Sequence, residues 1–364
     1  MIPSGARVLV IGAGIIGRST AYFLSRRGVE VVLLDANEGS VLTGTCGSPT
    51  SLASLGVLSH PNGGDSPYAQ LYRDGHALHA QLADDLTAET GLDVGWRPLG
   101  GIELFADEGQ LEEVWRFNRE RGCPVERLDE RELREREPAL VVGAGGLYFP
   151  GDHRVDPLKL DEALLVAAQQ RGASSHWGER VVRLALRDGS VEVETSRGIH
   201  RGDFVVLAAG AWTGVLAGLL GAEVRVRPVR GQQARFAGSP LGHLVRGDGR
   251  YMIPDGDETV VGSTVEEVGF AIETTDEAAA DFSAWVGEML GRRLSLISQR
   301  AGLRPKPRGG RPLIGPLRDA PQVFVASGHY KNGILLGPIT GQIIARWIAE
   351  GTPERDMSRL APER

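Results

Sequence analysis

A glycine-rich turn near the N-terminus constrains the fold of this chain more than any other segment. Gly12-Ala-Gly14-Ile15-Ile16-Gly17 follows the apolar run that begins at Arg7 and precedes a helix pattern that ends at Arg27. The apolar run is typical of a strand that is buried on both faces of a parallel sheet. In such a turn the first glycine permits the tight bend, the second lets the backbone approach a pyrophosphate, and the third lets the helix pack closely on the strand.

An acidic residue at the end of the next strand pattern strengthens this interpretation. Val29-Glu-Val-Val-Leu-Leu-Asp35 completes a βαβ unit, and Asp35 stands 18 residues beyond Gly17. A carboxylate at this place accepts hydrogen bonds from ribose hydroxyls, and the helix N-terminus places partial positive charge beside phosphates. The glycines alone are weak evidence, but strand, helix and acid together predict a dinucleotide site.

Two more glycine turns occur in the middle and near the end of the chain. Phe204-Val-Val-Leu-Ala-Ala209-Gly210-Ala-Trp212-Thr213 reads as a buried strand that runs into a turn. Gly328-His-Tyr-Lys331-Asn332-Gly333-Ile334 precedes the last helix pattern, from Pro338 to Glu350. A glycine turn that opens a helix, as the Gly328 turn does, can aim backbone N–H groups and a helix N-terminus at an electron-rich ring. Dinucleotide-type segments thus stand at the start, middle and end of the sequence.

The segments between these turns carry other patterns. Helix patterns cover 66–90, 108–137, 158–171 and 275–298, and residues 224–261 alternate as an antiparallel sheet does. We therefore predict an α/β fold, α+β overall, with two interwoven domains. The Rossmann-like, dinucleotide-binding domain comprises 1–85, 141–223 and 300–364, and the substrate-binding domain comprises 86–140 and 224–299.

Composition excludes several classes of function. The formal charge of −7 and the lack of a basic stripe argue against nucleic-acid binding, and no apolar stretch reaches the length of a spanning helix. Cys46 and Cys123 form no C-x-x-C pair, so a reducing cytoplasm is the expected location. The histidines show no metal-ligand spacing and no metal is expected. Only His329, beside the third turn, is a candidate for a role at the site.

Taken in order, the three turns resemble those of the D-amino-acid-oxidase superfamily. Ala301-Gly-Leu-Arg304-Pro305, followed by His329-Tyr-Lys-Asn-Gly-Ile-Leu-Leu, is most similar to glycine oxidase and sarcosine-oxidase-like enzymes. The resemblance covers the whole chain and implies a glutathione-reductase-type FAD fold with an inserted substrate domain. It also implies non-covalent FAD, because no cysteine follows Cys123 to form the C-terminal flavin link of sarcosine oxidases.

The resemblance assigns cofactor contacts to specific residues. The segment Gly44-Thr-Cys-Gly-Ser-Pro-Thr50-Ser51 corresponds to the loop and helix start that meet the pyrophosphate and flavin, and Val181 to the position whose backbone holds the adenine. The implied cofactor-binding residues are Gly12, Gly14, Ile15, Ile16, Gly17, Asp35, Thr50, Ser51, Val181, Ala209, Gly210, Trp212, Arg304, Gly328, Lys331, Asn332, Gly333 and Ile334.

Three residues carry the expected substrate chemistry. Arg304 corresponds to the arginine that holds the substrate carboxylate, and a guanidinium fork matches a carboxylate bidentately. Tyr251 matches a tyrosine that lines the pocket, and Lys331 stands where glycine oxidase has an arginine near the flavin. Gly249 and Val265 replace a histidine and a methionine of that enzyme, which predicts room for a substrate larger than glycine.

These assignments imply FAD-dependent oxidation of a small amine or amino acid. Hydride transfer to flavin N5 gives an imine, which hydrolyses to a keto acid or aldehyde and free amine, and oxygen is the expected electron acceptor. Alternatives are a quinone-linked D-amino-acid dehydrogenase and a 2-hydroxy-acid dehydrogenase on the same scaffold. An NAD-dependent dehydrogenase is disfavoured by the third turn, and an FAD-binding assembly protein is the non-enzyme alternative. The oligomeric state, including a homo-oligomer, stays open.

Overall fold

The computed structural model describes residues 5–38, 49–60, 64–141 and 145–363. Its helices, in chain order, are α1 Ile15–Ser25, α2 Pro49–Leu52, α3 Pro67–Thr90, α4 Glu108–Glu120, α5 Glu130–Arg136, α6 Pro157–Gln170, α7 Thr213–Gly218, α8 Asp276–Leu290 and α9 Gly333–Glu350. Its strands are β1 Arg7–Ile11, β2 Glu30–Leu34, β3 Val57–Leu58, β4 Arg97–Pro98, β5 Gly101–Phe105, β6 Glu126–Leu128, β7 Gly145–Phe149, β8 His153–Arg154, β9 Ser174–His176, β10 Val181–Arg187, β11 Ser190–Thr195, β12 Ile199–Gly202, β13 Phe204–Leu207, β14 Val226–Ala237, β15 Leu244–Gly247, β16 Arg250–Asp255, β17 Glu258–Gly262, β18 Leu296–Pro307, β19 Leu313–Pro316 and β20 Val323–Ser327.

A six-stranded sheet forms the first layer, in the order β19-β20-β13-β1-β2-β9. All neighbours are parallel except β19, which pairs antiparallel to β20. The middle strands are apolar and buried because helices cover one face and a three-stranded sheet, β10-β11-β12, packs toward the other. This arrangement brings the three segments with glycine turns, distant in sequence, into one sheet. The predicted fold class is confirmed.

An eight-stranded mixed sheet forms the second layer, in the order β18-β14-β17-β16-β15-β5-β7-β6. Neighbouring strands run antiparallel, apart from the parallel pair β15 and β5. Its core packs against α8, which Thr275 caps by accepting a hydrogen bond from the N–H of Ala278. Strands β14 and β18 pair over almost their full length and connect this sheet to the glycine turns.

Several predicted elements have different bounds in the structure. The helix pattern over 108–137 is two helices with β6 between them, because β6 pairs with β7 at the edge of the large sheet. The pattern over 275–298 ends at Leu290, where Gly291 adopts φ +61°, and the chain then enters β18. The last helix begins at Gly333, five residues before the predicted Pro338.

The sheet topology bears on two of the predicted domain boundaries. Strand β7, placed with the dinucleotide-binding domain from the sequence, is hydrogen-bonded within the eight-stranded sheet. Strand β18 belongs to the same sheet through Pro307, seven residues beyond the predicted boundary at 300. We propose that the substrate-binding domain extends to Phe149 and Pro307. Within the described residues, no helix is both long and apolar enough to cross a membrane.

Candidate active site

A cleft of about 480 Å³ lies between the two layers. The ends of β1, β2, β13 and β20 form one wall, and β14, β16 and β18 form the other. The predicted residues that line it are Gly12, Gly14, Ile15, Ile16, Asp35, Thr50, Ser51, Val181, Ala209, Gly210, Trp212, Tyr251, Arg304, Lys331, Gly333 and Ile334. Gly17, Gly328 and Asn332 are not among the lining residues. The fold thus brings most of the predicted residues to one place.

The first glycine turn is held by close backbone contacts. Gly12 has φ +105°, and a Cβ at this position would lie 2.5 Å from the carbonyl oxygen of Ala208. Its N–H donates to the carbonyl of Leu34 at 2.8 Å. A Cβ on Gly17 would overlap the carbonyl oxygen of Gly12, so this glycine permits close packing behind the turn. Only glycine fits either position.

Asp35 ties the end of β2 to this turn. Its Oδ2 accepts a hydrogen bond from the N–H of Ala13 at 2.6 Å, and its Oδ1 accepts two at 2.8 Å from Asn37. The carboxylate is therefore fixed at the cleft before any ligand arrives. Asn37 and Ala36 line the cleft beside it, as do Arg180 and Val181 at the start of β10.

Helix α2 connects the cofactor side of the cleft to the large sheet. The hydroxyl of Thr50 donates to the carbonyl of Leu303 at 2.9 Å, and Ser51 is buried. The preceding residues 44–48, which were predicted to meet the pyrophosphate and flavin, lie outside the described residues. Small hydroxyl side chains therefore occupy the crowded point where the two layers meet.

The second and third glycine turns are adjacent. Gly210 has φ +54°, and its carbonyl accepts a hydrogen bond from the hydroxyl of Ser327 at 2.9 Å. Gly328 has φ +76°, and its position against Pro307 leaves little room for a side chain. Asn332 donates from Nδ2 to the hydroxyl of Tyr68 at 3.0 Å, which explains why it does not line the cleft. Gly328 and Asn332, although they do not line the cleft, thus shape the third turn.

His329 is buried within the third turn and lines the cleft. Its Nε2 lies 2.9 Å from the hydroxyl of Thr340, and its Nδ1 has no hydrogen-bond partner among the described residues. Burial lowers the pKa of His329 to about 3, so the imidazole is neutral at physiological pH. A neutral ring with one free nitrogen is suited to a hydrogen bond with a ligand, and not to permanent charge stabilisation.

Arg304 lies on β18 with its guanidinium stacked over Gly231 of β14. A Cβ on Gly231 would overlap the guanidinium atoms, so the glycine creates the space that Arg304 occupies. Nη1 of Arg304 donates to the carbonyl of Thr264 at 2.8 Å. The N–H of Gln232 donates to the hydroxyl of Thr264 at 2.9 Å, and Nε2 of Gln232 donates to Glu266 at 2.8 Å. These bonds fix the carbonyl that positions Arg304.

Lys331 adds a second cation to this part of the cleft. Burial lowers its pKa below the usual range for lysine, and the nearby charges of Arg304 and Lys306 lower it further. Neither Arg304 nor Lys331 forms a salt bridge with an acid among the described residues. Uncompensated positive charge at a partly buried place favours an anionic ligand group.

Tyr251, on β16, lines the same cleft and packs beside Leu55 and Ile253. Gly249 and Val265, which were expected to enlarge the pocket, are absent from the cleft lining. Gly249 lies in the turn between β15 and β16 with φ +72° and open space around it, and Val265 is about half exposed. The structure therefore does not support the expectation that these two positions set the substrate size.

Several lining residues were not predicted from the sequence, among them Asn37, Gly231, Gly302 and Tyr330. Gly231 faces Arg304 only because β14 and β18 pair, with Gly231 opposite Gly302 in the register. Tyr330 has φ +52°, which is uncommon for a residue with a large side chain. The Arg230-Gly-Gln232 run carried a signal for Gly231, since a glycine within a strand often marks a close approach.

Comparisons with known proteins agree with this geometry. The model of the FAD-dependent oxidoreductase (DAO) family matches residues 7–347. Glycine oxidase of Pseudomonas aeruginosa is 34% identical over 98% of both chains. The crystal structure of glycine oxidase from Geobacillus kaustophilus is 28% identical, with a TM-score of 0.91 over 99% of both chains. That of iminodiacetate oxidase from Chelativorans sp. BNC1 is 28% identical, with a TM-score of 0.87 over 98% of this chain and 99% of the other.

The cleft fits the cofactor of this family. Gly12 leaves room for a pyrophosphate beside the N-terminus of α1, Asp35 presents carboxylate oxygens at the end of β2, and the third turn leads into the N-terminus of α9. The predicted cofactor, FAD, and the predicted oxidation of an amine or amino acid are confirmed by the family match. The chain belongs to the DAO family of FAD-dependent oxidoreductases.

Proposed function

We propose that this enzyme oxidises a small amine that carries a carboxylate, and that Arg304, Tyr251 and Lys331 bind the substrate. The observation that carries this proposal is the guanidinium of Arg304, which lines the cleft, is positioned by Thr264 and has no acidic partner among the described residues. Two of the similar proteins, glycine oxidase and iminodiacetate oxidase, are named after substrates that are carboxylated amines. A substrate of this class would satisfy the free donors of Arg304.

The bound flavin supplies the hydride acceptor for the C–H bond next to the substrate nitrogen. Arg304 holds the carboxylate bidentately, and Tyr251 contacts the same end of the substrate, so that the α-carbon is oriented for reaction. The substrate reacts as the neutral amine, and no protein base is obligatory. His329 stays neutral because burial lowers its pKa to about 3, and it holds its position through Thr340. The main contribution of the protein is positioning.

The oxidised product is an imine, which water hydrolyses to a keto acid or aldehyde and free amine. We propose oxygen as the electron acceptor, with peroxide as its reduced product; a quinone is the alternative acceptor. Oxygen consumption during turnover separates the two, because a quinone-linked enzyme consumes little oxygen without its quinone. Release of yellow FAD into the supernatant on denaturation tests the proposal that the cofactor is non-covalent.

The substrate class is tested by flavin bleaching without oxygen. A panel should pair each amino acid with the amine that lacks its carboxylate, together with the corresponding 2-hydroxy acid. We expect bleaching by carboxylated amines and not by hydroxy acids. Bleaching by hydroxy acids alone would establish the hydroxy-acid dehydrogenase, and no bleaching by any compound would favour a non-catalytic FAD protein.

The role of Arg304 is tested by substitution in the FAD-loaded enzyme. Arg304→Ala should raise KM for the carboxylated substrate by roughly 30-fold to 1,000-fold, equivalent to about 2–4 kcal/mol. The slow turnover of the amine without a carboxylate should change little. Arg304→Lys should retain charge and lose the bidentate fork, giving an intermediate KM. An unchanged KM for the carboxylated substrate in Arg304→Ala would show that the carboxylate binds elsewhere.

A further inference from the structure

Two histidines and a glutamate converge at the edge of the six-stranded sheet. His176 ends β9, Glu179 follows three residues later, and His200 lies on β12. His176 Nδ1 lies 3.1 Å from Oε1 of Glu179, and His200 Nε2 lies 2.7 Å from Oε2. One nitrogen of each imidazole and a carboxylate oxygen all lie within 4.8 Å of one another. We call these three residues the His–Glu–His cluster.

We propose that the His–Glu–His cluster binds a divalent transition-metal ion, with Zn²⁺ the best fit. Two imidazole nitrogens and one carboxylate form a common zinc ligand set, which leaves one coordination position for water. Ligand atoms already this close need only small side-chain movements to reach zinc bonding distances of about 2.0–2.2 Å. The cluster belongs to no part of the substrate chemistry proposed above.

The charge at the cluster favours a cation. Glu179 is 8% exposed, and its ion-pair partners within the described residues are the two histidines. Histidines that ligate a metal are neutral, so the ligand set then carries one negative charge from the buried carboxylate. A bound divalent ion would place a permanent positive charge beside this carboxylate. Among the residues that the structure describes, no arginine or lysine forms a salt bridge with Glu179.

A further residue orients the central ligand. The hydroxyl of Thr195 donates to Oε2 of Glu179 at 2.7 Å and is itself buried on β11. Outer contacts of this kind fix the direction of a metal-binding carboxylate. His176 is the most accessible ligand, with 39% of its side chain exposed, so an ion has a route from solvent.

The cluster is joined by the backbone to the cofactor cleft. The N–H of Asp35 donates to the carbonyl of His176 at 3.0 Å, and the N–H of Glu179 donates to the carbonyl of Asp35 at 2.8 Å. Glu179 and Val181 also line the cleft. A metal that links His176, Glu179 and His200 would restrict the segment that holds Asp35 in place. The metal should therefore tighten FAD binding, which we expect to appear as slower FAD release, and FAD should raise the affinity for the metal by the same factor as the metal raises the affinity for FAD.

The test uses untagged, FAD-loaded protein that has been treated with a chelator and returned to chelator-free buffer. Zn²⁺ binding is followed by competition with a coloured zinc indicator and by calorimetry. We expect one Zn²⁺ per chain and a loss of affinity of at least about tenfold in His200→Gln and His176→Gln. Glutamine can keep the hydrogen bond to Glu179 and so preserve the fold, but it is a poor zinc ligand. His153→Gln, outside the cluster, should bind Zn²⁺ as the wild type does.

Two results would overturn the proposal. One is the absence of stoichiometric Zn²⁺ binding to the wild type, and the other is binding that persists unchanged in His200→Gln and His176→Gln. The link to the cofactor is measured separately, as the rate of FAD release with and without Zn²⁺. We expect release to be at least about threefold slower with Zn²⁺ in the wild type and unaffected in His200→Gln. Equal release rates in the wild type would refute the link.

Discussion

The two walls of the cleft are built on different physical principles. The wall on the six-stranded sheet consists of glycine turns and buried apolar strands, where backbone groups and the absence of side chains create the binding surface. The wall on the eight-stranded sheet presents side chains, above all Arg304, whose guanidinium donates a hydrogen bond to the carbonyl of Thr264 in the segment after β17. We call the first the backbone wall and the second the side-chain wall. A surface formed by the backbone can bind the part of a cofactor that many enzymes share, whereas a surface formed by side chains can select a particular substrate.

The largest effect is expected from Gly12→Ala on the backbone wall. The new Cβ would lie 2.5 Å from the carbonyl of Ala208 at a φ of +105°. Strain and the forced contact together cost about 4 kcal/mol, shared between folding and FAD binding, so the purified protein should lose its flavin absorbance. Gly28→Ala is the matched control, since Gly28 also has positive φ but no atom near its Cβ. It should lose about 1 kcal/mol of stability and keep FAD. A yellow, stable Gly12→Ala protein would contradict the proposed close packing.

The next effect concerns a buried acid beneath the backbone wall. Asp161, on α6, is completely buried, and burial raises its pKa from 3.8 to about 6 despite the charge of Arg18. Between pH 3.8 and about pH 6, Asp161 is protonated in the folded state and ionised in the unfolded state. The free energy of unfolding therefore falls as the pH rises through this range. In Asp161→Asn, the fall in the free energy of unfolding over this pH range should be smaller by about 3 kcal/mol.

Urea unfolding of the FAD-loaded protein at pH 4 and pH 7 measures this effect. Asp84→Asn, at an exposed position on α3, should leave the pH dependence as in the wild type. An unchanged pH dependence in Asp161→Asn would show that the buried carboxyl titrates alike in both states. The result sharpens the comparison, because it measures how much one buried polar group contributes to the stability of the layer beneath the backbone wall.

A smaller effect is expected from Gly231→Ala on the side-chain wall. The new methyl group would overlap the guanidinium of Arg304, which can swing away on its flexible stem. The fold and the flavin absorbance should therefore persist, while kcat/KM for the carboxylated substrate falls at least about tenfold. Gly247→Ala, in the same sheet, is the control because its Cβ would lie 3.7 Å from the nearest side chain. Loss of FAD in Gly231→Ala, or unchanged kcat/KM, would refute the division between the two walls.

The smallest effect is expected from Gly249→Asn. This turn position has φ +72°, which asparagine tolerates, and it faces open space outside the cleft. KM should change less than about twofold for every substrate in the panel. A larger change that depends on substrate size would restore the expectation from the sequence that Gly249 shapes the pocket.

The sequence predicted the backbone wall well because its signals are local. The strand from Arg7, the three glycines and Asp35 lie within 29 residues, and each is required by the geometry of its own neighbourhood. The large sheet was predicted less well. Strand β6 was read as helix because its charges fit a helix pattern, and its pairing with β7 depends on residues further along the chain. The placement of Gly231 under Arg304 and the approach of His200 to Glu179 also depend on strand pairing.

The register of β14 and β18 sets the direction of Arg304. Side chains alternate between the two faces of a sheet, so adjacent residues on β18 point to opposite sides. A shift of β18 by one residue against β14 would turn the guanidinium of Arg304 to the opposite face of the sheet. Twelve-residue strands that pair over almost their full length resist such a slip far better than a loop would. The direction of Arg304, and with it the proposed contact to the substrate carboxylate, is thereby protected by the length of a β-ladder.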